Sequence, residues 1–118
     1  MNVLLALMLV AATAGSQGSS TVYKPGDGVS LPQVTKQVKA DYTAEARARR
    51  IVGKVMLDVI VLSDGTVGNV TVSESLDYIY GLDQKAVAAM KQWEFKPGMK
   101  DGKPVAVRIA VEMVFTLR

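Results

Sequence analysis

The side chains that could do chemistry are few. Glu74 and Asp77 stand close enough in sequence to suggest a paired-carboxylate site, either for general acid–base work or for a hard cation such as calcium. Neither use is supported by what surrounds them. The chain contains no histidine and no cysteine, which removes imidazole bases, thiol nucleophiles, disulfides and the ligands of most structural zinc sites. Serine and lysine residues are present, yet no motif sets a pair of them in contact as an activated nucleophile requires. Asp64 precedes Gly65 in a turn signature and reads as a turn former. No catalytic constellation, cofactor site or metal site is expected, and the chain is read as a non-enzyme.

Binding chemistry is also narrow. Arg47, Arg49 and Arg50 form the only dense basic cluster in a chain of net charge +3. Nucleic-acid recognition needs a broader basic stripe with stacking aromatics or a recognition motif, so this cluster reads as a solvated helix end and no nucleic-acid partner is expected. Trp93 closes an amphipathic stretch, where an indole belongs to the core. What remains is the backbone itself. Every odd position from Val105 to Leu117 is apolar, while Ala106, Arg108, Ala110, Glu112, Val114 and Thr116 fill the even ones. This period of two marks a half-buried strand. Fully extended it would reach about 44 Å, longer than the usual strand, so part of its backbone can outrun its partners.

The elements that must position this strand follow from the rest of the chain. The apolar run 3–12, with Ala12-Thr13-Ala14 as an A-x-A cleavage pattern, reads as a signal peptide over residues 1–14, with a short membrane tether as its rival. Residues 15–30 have the Gly, Ser and Pro content of a flexible linker. The domain then occupies residues 31–118, and Leu31-Pro32 with Val34 and Val38 can dock an extended segment on it. A short helix is expected over 41–50, with Thr43 as N-cap, Glu45 in its first turn and the arginines at its end. A central strand follows over 54–62, a turn at Ser63-Asp64-Gly65, and a second strand over 66–75 whose apolar residues shift register at Gly68-Asn69, which signals a bulge. Residues 82–93 carry Leu82, Ala86, Ala89, Met90 and Trp93 at helical spacing, with Asp83 at the positive end of the helix dipole. Phe95, Pro97 and Gly98 end that helix, and a turn over 101–104 leads into the long last strand.

The fold class is therefore α+β, a small two-layer domain with a three-stranded antiparallel sheet and two helices packed on one face. The strand order is second, first, third, which leaves the last strand at an edge. An exposed edge offers N–H and C=O groups to another extended chain.

At this point a family resemblance is carried by residues in order: Gly53-x-Val55, Asp64-Gly65-x-Val67, Leu82-Asp83 with Ala86 and Ala89, Trp93-x-Phe95-x-Pro97-Gly98, Asp101-Gly102-Lys103-Pro104-Val105, and Phe115-x-Leu117. Together, over about residues 31–117, they resemble the C-terminal domain of TonB proteins. The resemblance implies a periplasmic module that binds the TonB box of outer-membrane transporters as an added strand and supports energy-coupled transport. The implied contact strand is Val107, Arg108, Ile109, Ala110, Val111, Glu112, Met113 and Val114. An envelope protein that uses the same fold for dimerisation or assembly is the alternative, and an open edge suits a homodimer equally well. The family's usual anchor helix with its histidine, and its proline-rich spacer, have no counterpart in this sequence, so engagement of an ExbB–ExbD-type motor is not expected. Thr43 stands after Tyr42 where the family usually has proline, and a threonine cap can start the helix as well.

Overall fold

The computed structural model describes residues 21–117. The signal segment expected over 1–14 and the first part of the linker lie outside the described residues. The elements in chain order are β1 (Val22–Tyr23), β2 (Gln33–Lys36), α1 (Ala44–Ala48), β3 (Gly53–Val61), β4 (Val67–Glu74), α2 (Leu82–Met90), β5 (Glu94–Lys96), β6 (Gly98–Lys100) and β7 (Lys103–Phe115). No described helix is long and apolar enough to cross a membrane.

The antiparallel core of the sheet has the order β4-β3-β7, as the connectivity implies. Val55, Leu57, Val59 and Val61 are all fully buried, and Ala46, Leu82, Ala86, Met90, Trp93 and Phe115 close the same core over them. Each of the four β3 residues pairs across β7 with another odd-numbered residue, from Val55 with Met113 to Val61 with Val107. Both helices thus serve one face.

The three-stranded sheet must be corrected, because four further strands are present among the described residues. β1 runs parallel to β7, β6 pairs antiparallel with β7, and β2 with β5 forms a separate two-stranded sheet. These strands are two to four residues long, too short for periodicity to reveal; only tertiary pairing makes them extended. The second helix is also shorter than its apolar spacing suggests. It stops at Met90, and Gln92 and Trp93 turn off through bonds to Ala89 and Met90 carbonyls, which frees Glu94–Lys96 to pair with β2. Residues 21–30, read by composition as linker, hold β1 and a turn in which Asp27 N–H donates to the Lys24 carbonyl.

Local chemistry explains the junctions. Thr43 caps α1 by accepting from Ala46 N–H at 3.1 Å, and its own hydroxyl donates to the Tyr80 carbonyl at 2.7 Å. The β6–β7 turn places Asp101 at φ 51 and Gly102 at φ 79, the paired left-handed geometry of a tight hairpin. In β4 the register breaks opposite Ile60, at Gly68-Asn69, and again at Ser73.

Candidate peptide-binding edge

β7 is thirteen residues long and β3 only nine. Their ladder is unbroken from Gly53 opposite Phe115 to Val61 opposite Val107. The excess at the start of β7 is taken up by β6, which pairs with Lys103 to Val105. β1 then covers Ala106 and Val107 on the side away from β3. Among the described residues, the strand from Arg108 to Phe115 has one neighbour, β3, and none of the backbone hydrogen bonds outside the ladders involves it.

The side chains of this stretch divide cleanly. Arg108, Ala110, Glu112 and Val114 are exposed, whereas Ile109 and Val111 are half-buried and Met113 is buried. Glu112 lies 3.9 Å from Lys54 on β3, an exposed pair that contributes little to stability. Among the described residues no carboxylate comes within ion-pair distance of Arg108. Val107, included in the contact strand that the resemblance implies, is fully buried and already carries Tyr23 as its neighbour.

A wall rises beside the second half of the edge. Residues 37–40 face Glu112 and Val114 across a cleft of about 410 Å³, and a second cleft of about 360 Å³ continues past Tyr42 and Arg47 to Thr116. The wall is fixed at three points. Trp93 donates its indole N–H to the Val38 carbonyl at 2.8 Å, Tyr42 donates its hydroxyl to the Ile51 carbonyl, and the Tyr42 ring meets Phe115 edge-on at 5.5 Å. Composition gave no sign of this wall beyond Val38, whose apolar side chain packs on the core.

The sheet has a second edge, β4, and it is differently made. Its two bulges twist the strand and interrupt the row of donors and acceptors, the usual protection of an edge against pairing. β7 has no such interruption against β3. Of the two edges, the one along Arg108–Phe115 is regular.

The remaining polar candidates are structural. Asp77 is buried, and its carboxylate accepts from Tyr80 N–H at 2.9 Å and Leu82 N–H at 3.3 Å, capping α2 where Gly81 has no side chain to do so. Asp83 accepts from Leu76 and Asp77 N–H, both at 3.0 Å, and from the Ser75 hydroxyl, so it binds the loop as well as facing the dipole. Glu74 is exposed at the end of β4. The described residues contain no group of three that could hold a metal ion. Arg47 stacks on Tyr42 at 5.0 Å, and Arg49 stacks on Tyr80 at 4.5 Å while pairing with Glu45 at 3.6 Å. Asp64 sits in the β3–β4 turn, where the Thr66 hydroxyl and N–H donate to it and hold its carboxyl below the ordinary 3.8.

Comparison with known proteins supplies the family and a similar fold. The family model described as Gram-negative bacterial TonB protein C-terminal matches residues 38–117, from the wall to the end of the open edge. The chain is 37% identical over 108 residues to Protein TonB of Vibrio cholerae serotype O1, covering 89% of this chain and 42% of that protein. It is 33% identical over 107 residues to Protein TonB of Pseudomonas aeruginosa, covering 88% of this chain and 30% of that one. The chain therefore spans less than half the length of these curated relatives. The solution NMR structure of the Pseudomonas aeruginosa TonB CTD superposes with a TM-score of 0.61 at 26% identity, covering 84% of this chain and 97% of the other.

Proposed function

The chain belongs to the family of TonB protein C-terminal domains, and from that premise we propose that it is a periplasmic binding module that takes up the TonB box of outer-membrane transporters as an added strand, in support of energy-coupled transport. The single observation that supports this reading is the regular, one-sided edge from Arg108 to Phe115. An extended peptide laid there completes a row of backbone donors and acceptors, which supplies affinity without demanding particular side chains. Arg108, Ala110, Glu112 and Val114, with the cleft against residues 37–40, supply the selectivity. The proposal is for docking and carries no catalytic step.

Adjacent residues of a strand direct their N–H groups to opposite sides. Of Ala110→Pro and Val111→Pro, one therefore removes a donor of the open edge and the other removes a ladder bond to β3. The first should keep the parent's melting temperature and lose roughly tenfold or more in affinity for a synthetic TonB-box peptide, measured by calorimetry. The second should melt earlier. Two folded variants that both bind as the parent does would sink the reading, and edge-to-edge self-association of the parent at micromolar concentration would favour the assembly alternative.

A further inference from the structure

The open edge is partly occupied by the chain's own residues. Val22 pairs with Ala106 and Tyr23 with Val107, parallel to β7 and on the side where a docked peptide would lie. The chain then leaves the edge through the Lys24–Asp27 turn, in which Asp27 N–H donates to the Lys24 carbonyl at 3.0 Å and its carboxylate accepts from Lys24 N–H at 2.9 Å. Lys100 on β6 holds that turn, with its ammonium 5.5 Å from the Tyr23 ring and 3.3 Å from the Asp27 carbonyl. The departure falls immediately before Arg108, so β1 and the open stretch lie end to end along one strand.

We infer that β1 is an intramolecular occupant of the docking edge, a resident strand that closes Ala106 and Val107 and that a longer partner must displace. This rests on the docking function proposed above. The occupant is weak by construction. It is two residues long, Val22 is 37% exposed, and parallel pairs are slightly less stable per residue than antiparallel ones. Its pairing contributes only a few net hydrogen bonds, each of which a competing extended peptide can replace. A displacing peptide fits best if it carries the chemistry it replaces, a β-branched residue beside an aromatic one. Short partners are thus confined to Arg108–Phe115, and longer ones gain the two further positions only on release of β1.

The absence of cysteine allows a direct test in the full chain. The pair Val22→Cys and Ala106→Cys, oxidised, locks β1 in its observed register, and the pair Val22→Gly and Tyr23→Gly weakens it. The probes are a synthetic TonB-box peptide cut to the length of Arg108–Phe115 and the same peptide extended by Val-Tyr at either end. The short peptide should bind both forms alike. One extended peptide should bind the weakened form about tenfold more tightly than the locked form, the gain of roughly two net hydrogen bonds, and should move the Ala106 and Val107 amide resonances only in the weakened form. Equal binding of the extended peptides to both forms overturns the inference. If the short peptide fails to bind the parent, the docking function fails instead, and exchange of whichever of the Ala106 and Val107 amides faces β1 still decides whether β1 covers the edge: that amide should exchange faster in the weakened form, and unchanged protection refutes it.

Discussion

The Trp93 indole N–H reaches the Val38 carbonyl at 2.8 Å and ties the turn after α2 to the segment that walls the open edge. One side chain thus joins core packing to the shape of the binding cleft. Its ring also lies 6.1 Å from that of Phe95 on β5.

Trp93→Ala should therefore cost about 3–5 kcal/mol in urea unfolding, because it opens a cavity at 7% exposure and leaves the Val38 carbonyl without its donor. Trp93→Phe retains most of the packing and isolates the bond. We expect it to cost about 1–3 kcal/mol and to speed amide exchange in residues 38–40. Equal stability of Trp93→Phe and the parent would show that the bond does not hold the wall.

Asp77→Ala should lower stability by about 1–3 kcal/mol, since it strips the cap from α2 and leaves the Tyr80 and Leu82 N–H groups without a partner. Asp77→Asn keeps an acceptor oxygen in place and should recover part of that loss. Thermal unfolding of the three proteins at neutral pH separates the cases, and equal melting points would remove Asp77 from the cap.

The alternation of β7, the apolar runs of β3 and the helical spacing of Leu82, Ala86, Ala89 and Met90 made the β4-β3-β7 core and its buried face legible from residue types alone. Long elements repeat their signal, and burial on one face reinforces it. The open edge was legible as an edge, but not its limit at Arg108, because Val22-Tyr23 is too short to announce a strand. Asp77 and Asp83 carry charges that ordinarily face water. Only the folded loop brings the N–H groups of Leu76, Asp77, Tyr80 and Leu82 around them. Such non-local satisfaction of a polar group leaves no pattern along the chain.

Gly65→Ala tests the contact between the β3–β4 turn and β5. Gly65 has φ 89, its carbonyl accepts from Phe95 N–H at 2.9 Å, and an added Cβ would lie 2.1 Å from the Phe95 carbonyl oxygen. The left-handed backbone alone costs about 1–2 kcal/mol in an alanine, and the clash with backbone adds to it. Gly102→Ala, at φ 79 with open space around its Cβ position, meets only the first cost. We therefore expect Gly65→Ala to be the more destabilised of the two by denaturant titration. The reverse order would show that the turn does not bear on β5.

Asp64 gives the domain a defined acid response. Its carboxylate accepts from the Thr66 hydroxyl at 2.6 Å and from Thr66 N–H at 3.0 Å, and both bonds favour the charged form. Because the folded value lies below 3.8, the unfolded chain binds this proton first. Stability from Asp64 is thus fully present above the unfolded value and is lost as pH falls through the folded one. A carboxyl-detected titration should place Asp64 below 3.8 in the parent, with the Thr66 amide shifting in step. Thr66→Val removes the hydroxyl while keeping the N–H, so the Asp64 midpoint should rise toward 3.8 without reaching it. An unmoved midpoint would assign the depression to the backbone bond alone.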